Sequence, residues 1–280
     1  MARVGRVGGL FRHPVKSMLG EALDSIEIDA LGIVGDRVWA VRDEVRGDFR
    51  TGKRIPRLMS CRAASGEAGA APTIALPDGT TCRADAPEAA ARLSAALDHP
   101  VTLCPIGASP PPARPAEPVQ DPEADLRETM ARAPDEPMPD FSDVPPELFA
   151  HFSDPGHRHV DAAPVMILTD RSLDSLGRAA PDALIDVRRF RPSVLVQASS
   201  EVAFPEQDWI GSRLRLGEVV LEVRATCPRC AMVTHGFADL PQDPSVMRRL
   251  VAEADGNLGV YATVAVPGRV QLGDVVERVT

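Results

Sequence analysis

Two cysteines stand three residues apart in Ala225-Thr226-Cys227-Pro228-Arg229-Cys230, with a proline and a cation between them. A thiolate is both a nucleophile and a soft metal ligand, so this pair is the first place to look for chemistry. Four readings fit the spacing. A structural zinc needs four ligands, but there is no second Cys-x-x-Cys, and His157, His159 and His235 stand at spacings unlike a zinc finger. A thioredoxin-like redox pair wants a helix N-terminus in a βαβ setting, whereas both flanks here read as β. The two thiols can also be inert core residues. In the fourth reading one thiolate, that of Cys230, holds a soft metal at the mouth of a β-barrel, beside cations that bind an anionic cofactor.

Candidate cations are spread along the chain. Lys16 and Ser17 follow His13-Pro14-Val15, and together they offer a charge and a hydroxyl to a phosphate. A solvated lysine is the plain alternative. Arg37 can fork onto a phosphate or carboxylate, or pair with Asp36 at the surface. Arg50 to Arg54 reads as a solvated basic loop. Thr169-Asp170 caps a helix running to Gly177, which puts Ser172 in an anion-favouring first turn. Serine at a helix start is also ordinary. Arg188, Arg189 and Arg191 form the densest cation cluster and lead into a strand at 194–196.

These groups need a scaffold, and the pattern around them is mainly β. Val4–Leu10, Leu23–Ile28, Asp36–Val41, Leu58–Cys61, Thr73–Leu76 and Val101–Cys104 read as short strands. So do Pro164–Leu168, Val194–Val196, Leu214–Val223, Gly259–Val266, Val270–Leu272 and Val275–Val279. Pro228 should stop the strand that delivers the thiols, and Pro267-Gly268 reads as a hairpin turn. Helices are expected at Pro87–Leu97, Asp243–Ala254 and the capped segment after Thr169. Trp209 is expected to be buried. Twelve prolines between Pro105 and Pro146 mark a segment too poor in apolar residues to order itself, so it reads as a mobile insert, with one short helix at 124–132. It could serve as a lid or be functionless. The reading gives residues 1–104 as an N-terminal β domain, 105–157 as the insert and 158–280 as a second β domain. The class is mainly β with a few helices.

The formal net charge of -9 argues against nucleic acid or an anionic membrane as main partner. An anionic ligand must then be held by a local cluster of cations. Five cysteines, no apolar leader and no run of eighteen apolar residues point to a reducing cytoplasm with free thiols and no membrane span.

Six fragments in order carry a resemblance: Pro14-Val15-Lys16-Ser17, Gly35-Asp36-Arg37-Val38-Trp39, Phe190-Arg191-Pro192, Glu206-Gln207-Asp208-Trp209, Cys227-Pro228-Arg229-Cys230, and Gly259-Val260-Tyr261 with Gly273-Asp274 closing the chain. The chain resembles the molybdenum-cofactor sulfurase C-terminal (MOSC) family, in its two-part form with an N-terminal β-barrel domain. The resemblance implies a molybdenum cofactor, a molybdopterin dithiolene with a terminal phosphate. Cys230 would be the metal ligand and catalytic residue, with Cys227 a neighbour. Lys16, Ser17, Arg37, Ser172, Arg191 and Tyr261 would hold the cofactor. It further implies an oxidoreductase that reduces N-hydroxylated small molecules such as amidoximes, hydroxylamines and N-hydroxylated bases. The chain carries no further cysteine-rich domain, so electrons would come from a separate ferredoxin-, flavoprotein- or cytochrome-type protein. The alternative is a carrier of the cofactor, or of its sulfur, without turnover. Ser193 and Val233-Thr234-His235-Gly236 depart from the family pattern.

Overall fold

A computed structural model describes residues 1–49, 51–66, 69–108, 119–150 and 158–279. The N-terminal half supplies strands β1 (Ala2–Arg12), β2 (Glu21–Ala22), β3 (Ser25–Asp29), β4 (Gly32–Ile33) and β5 (Trp39–Asp43). Helix α1 (Thr51–Arg54) and a 3-10 turn at Pro56–Ser60 follow. Next come β6 (Arg62–Ala64), β7 (Thr73–Ala75), β8 (Thr81–Arg83), α2 (Ala89–Leu97) and β9 (Val101–Pro105). The proline-rich segment contributes α3 (Pro122–Thr129) and α4 (Pro146–Ala150). The C-terminal half holds β10 (Val165–Thr169), α5 (Asp170–Ala179), α6 (Val187–Phe190), β11 (Val194–Ala198), β12 (Arg213–Leu216) and β13 (Val219–Pro228). It ends with α7 (Ser245–Ala254), β14 (Asn257–Val266), β15 (Gly268–Gln271) and β16 (Val275–Val279).

The main sheet runs β11-β10-β14-β13-β12-β16-β1, with β2 appended, and β11 pairs back onto β1. Seven strands therefore close a barrel, which removes the open edges of a flat sheet. Its interior is filled by alternate residues such as Val7, Ile167, Val194, Leu214, Leu221, Val223, Val260 and Val276. The first strand of the chain thus lies inside a barrel built mostly from the last hundred or so residues. A second core, including Val41, Leu58, Ile74 and Leu93, sits among β5–β9 and α2.

Several expected elements take a different form. Leu214–Val223 is two strands joined by a hairpin, because Gly217 turns there at φ 56°. A Cβ at Gly217 would come within 2.4 Å of the Asp274 carboxylate. The strand expected from Asp36 begins only at Trp39, since Arg37 is left-handed at φ 48°. Leu58–Cys61 is not a strand. Pro56 opens a 3-10 turn that buries Leu58 and Met59. The basic loop makes the helical turn α1. Pro267-Gly268 is no hairpin turn, because β15 pairs with β3 and leaves β14. The class is the expected one, mainly β with a few helices: the described residues hold seven, three of them only four or five residues long.

The largest difference is the insert. Across its described residues 119–150 it is folded against the barrel. Met130, Val144 and Leu148 are buried, the last two packing with Ala163 and Ala225. Arg54–Asp125 (2.5 Å) and Arg224–Glu147 (2.7 Å) pin it to both halves. Asp121 caps α3 through the Ala124 amide. Composition misled here because the few apolar residues pack onto Ala163 and Ala225 beside the barrel and need no core made by the insert alone. Residues 109–118 and 151–157 of the segment, His157 among them, lie outside the described residues.

Candidate functional site

The thiol loop is set by the end of β13. Pro228 closes the strand, and Cys230 caps a 3-10 turn over Ala231–Thr234 from an extended backbone. Cys227, still on the strand, points inward and is 1% exposed, whereas Cys230 is half-buried. One motif thus yields two different thiols. The Cys227 sulfur accepts from Arg229 Nη1 at 2.9 Å and meets the Tyr261 hydroxyl. Burial pushes its pKa up against those two donors. Tyr261 comes from β14, opposite Ala225 on β13. Burial, Cys227 and Asp161 raise it well above an ordinary phenol, so it stays protonated at neutral pH. Two residues earlier, Gly259 has φ 80°, and a Cβ there would press 2.7 Å from the Ile167 carbonyl. That close approach requires glycine.

Cations converge on Cys230 from both halves. Arg37, Arg189, Arg191, Arg229, Asp161, Tyr261, Cys227 and Cys230 line one cavity between them. Arg37 is placed by the turn before β5 and bonds the buried Asp36, which also accepts from the His13 amide at 2.6 Å. Burial pulls the Arg37 guanidinium down, but Asp36 and Asp161 outweigh it and hold it above its usual value. Lys16 reaches the cluster through Asp161, at 3.1 Å. Burial favours a neutral Asp161, yet Lys16, Lys53 and Arg37 keep its carboxyl well below the usual range. Arg191 donates to the Met18 carbonyl across the two halves. Burial first, then Arg37, draws its pKa down to about 9 despite Asp36 and Asp161. Burial, Arg191 and Arg37 likewise keep His13 neutral. Arg229 is held by Cys227 and by the Phe190 carbonyl (2.6 Å), and its buried Nε finds no partner among the described residues.

Three of the anticipated residues share a backbone feature. Ser17 (φ 72°), Arg37 (φ 48°) and Arg191 (φ 53°) are left-handed, a conformation that disfavours side chains and clusters at functional sites.

Of the seven residues singled out in the sequence, Cys230, Arg37, Arg191 and Tyr261 line this cavity, and Lys16 contacts its carboxylate. Ser17 is buried behind it, so close to Gly52 that a Cβ there would fall 2.5 Å from its hydroxyl. Ser172 stands elsewhere. Fully buried, it donates to Glu206 at 2.6 Å, while Thr169 bonds the same carboxylate at 2.7 Å. The arginine cluster also divides: Arg188 faces Asp186 and Asp239, and Arg189 binds the carbonyls of Val233, His235 and Pro241. His235 bonds the Gly52 carbonyl and His159 packs on Phe49. Reading the sequence missed Asp161, Lys53 and Glu206. A lone acid after a proline-rich segment carries no spacing signal, and the site partners of Asp161 are far away in sequence.

With this geometry, comparison with known proteins is direct. The MOSC N-terminal beta barrel domain matches residues 4–98, and the MOSC domain matches residues 151–277. The chain belongs to the MOSC family. Among curated proteins it is similar to mitochondrial amidoxime reducing component 2 of Bos taurus, 30% identical over 131 residues. That stretch is 41% of this chain and 37% of the bovine protein. The Homo sapiens protein of the same name is 29% identical, over 42% of this chain and 38% of its own length. The matched stretch thus spans less than two-fifths of those relatives. Among solved structures, YuaD from Bacillus subtilis aligns with a TM-score of 0.43 at 13% identity, covering 98% of this chain and 94% of that one. YiiM from Escherichia coli aligns with a TM-score of 0.33 at 15% identity, covering 42% and 55%. No helix among the described residues is long and apolar enough to cross a membrane.

Proposed function

We propose that this MOSC protein holds a molybdenum cofactor between its two halves and reduces N-hydroxylated small molecules in the cytoplasm. Electrons come from a separate ferredoxin-, flavoprotein- or cytochrome-type protein. One observation carries the reading: a half-buried thiol lies among buried cations that outnumber their carboxylates, in a chain whose formal net charge is -9.

The residues fit such a group. Among the described residues, Lys16, Lys53, Arg37, Arg191 and Arg229 gather around Asp36 and Asp161, and the Arg229 Nε adds an unmet donor. An anion there would relieve both defects. Arg37, Arg191 and Arg229 would hold its phosphate and polar edge, and Lys16 would act through Asp161. Cys230 would be the protein sulfur on the metal. Bound, the cofactor supplies a two-electron centre. Reduction of an amidoxime breaks the N–O bond, takes up two electrons and two protons, and leaves an amidine and water. Asp161 stays ionised and serves as an acceptor. Tyr261 keeps its proton and steadies Cys227. Ser17 and Ser172 would act only indirectly, through Gly52 and Glu206.

Protein purified from a cofactor-competent host should contain molybdenum near one per chain by elemental analysis. After chemical reduction it should convert benzamidoxime to benzamidine, and Cys230→Ser should lower that rate by more than about 100-fold. Molybdenum without amidine formation would leave a carrier in place of a reductase. Absence of molybdenum from wild-type protein would end both readings.

A further inference from the structure

Cys230 borders two cavities. The cationic one lies on its inner side. The other, about 210 Å³, shares Asp161, Pro228, Cys230 and Tyr261 with it and opens toward the insert. Its outer side is Leu126, Met130, Phe141 and Val144, all from the proline-rich segment, and Lys53 is the added cation. The insert also contributes Asp125 and Thr129, but these are engaged with Arg54 and with the α3 backbone, so what it presents to a ligand is mainly apolar. A cavity of about 150 Å³ lined by apolar side chains takes up benzene, so this one has room for a ring and a short polar head.

The wall is built firmly. Val144 is buried against Ala163 and Ala225, and Phe141 packs on the same cluster beside Tyr261. Arg54 fixes α3 through Asp125, and Thr129 is held by the Asp125 carbonyl. Apolar side chains around such a space reward an apolar body and give nothing to a small polar one.

We propose that the 119–150 insert is the specificity wall of the substrate cavity, selecting N-hydroxylated compounds whose head carries an aryl-sized apolar body. The proposal rests on the reductase reading for the identity of the head group. The recognition itself needs only the chain's own residues, because Leu126, Met130, Phe141 and Val144 line this cavity and not the cationic one.

The test uses the full, cofactor-free chain and two probes with one head group, benzamidoxime and acetamidoxime, titrated by calorimetry or saturation-transfer NMR. Wild type should bind benzamidoxime at least about 10-fold more tightly than acetamidoxime. Phe141→Ala and Leu126→Gln should each reduce that ratio to below about 3-fold by weakening benzamidoxime alone. Leu126 is 36% exposed, so Leu126→Gln keeps the fold and decides the matter if Phe141→Ala does not fold. Equal binding of the two probes by wild type, no binding of either, or a ratio unchanged in Leu126→Gln would each overturn the proposal. Discrimination by a molybdenum-loaded protein that never turns over would sink the reductase reading and leave the wall assigned. Turnover without discrimination would do the reverse.

Discussion

Two buried polar clusters in this protein look alike in composition and differ in completeness. Around Glu206, which is 0% exposed, the hydroxyls of Thr169 and Ser172 and the amide of Gly259 converge on one carboxylate, and every group has its partner. Around Cys230, cations exceed carboxylates, Arg191 is drawn down to about 9 by burial and by Arg37, and Arg229 keeps an unmet donor. The first is a closed knot that fixes α5 to the turn before Trp209. The second has open valences. Closed networks specify a fold, whereas an open one of a single sign indicates a missing counter-charge.

Breaking the knot should have the largest effect. Glu206→Ala strands two hydroxyls and an amide, and should cost about 3–5 kcal/mol in urea unfolding. Glu206→Gln, which keeps one of the two acceptor oxygens, should cost less, about 1–2 kcal/mol. The open cluster should respond in the opposite way. Arg191→Met should lower retained molybdenum by roughly 10- to 100-fold at fixed protein concentration. It should leave the melting temperature of cofactor-free protein unchanged or higher, because it removes an under-compensated buried charge. Ser172→Ala separates the two clusters more finely. It should cost about 1–2 kcal/mol in urea unfolding and leave molybdenum content unchanged.

The pH response should be smallest and should carry opposite signs at the two places. Burial and then Lys16 hold His159 at about 4, against 6.5 when unfolded. Between those values the unfolded chain binds the proton first, so stability falls as pH drops from 6.5 to 4, by on the order of 1 kcal/mol after solvent screening. Burial raises Glu206 above its usual 4.5 despite its hydroxyl donors. Its contribution is therefore complete below 4.5 and is lost as pH rises through the raised value. His159→Gln should flatten the acid limb of a melting-temperature profile, and Glu206→Gln should steepen it.

Reading the sequence found the barrel through alternation, as in β14 and β16, and the ends of helices through Thr169 and Pro87. It misplaced Leu58–Cys61 and the start of β5, where a 3-10 turn and a left-handed Arg37 override the apolar pattern. That Cys230, Arg37, Arg191 and Tyr261 belong together was legible because each sits in a short motif that carries the family resemblance, and they do line one cavity. Asp161 and the insert's wall were not, because their significance comes from partners that only folding brings near. Ser172 shows the converse: a helix-cap serine looks alike in sequence whether its hydroxyl faces a ligand or a buried carboxylate.

The seam between β11 and β16 is closed by β1, which stands far before both of them in the sequence. Its two neighbours are synthesised much later. Apart from its end at Phe11–Arg12, which pairs with β2, the nascent strand must wait with both hydrogen-bonding edges unpaired until those neighbours are made. Such distant pairing slows refolding and exposes a sticky edge meanwhile. Dilution from denaturant should therefore yield more native protein when the chain is dilute or chaperone-bound than when it is concentrated.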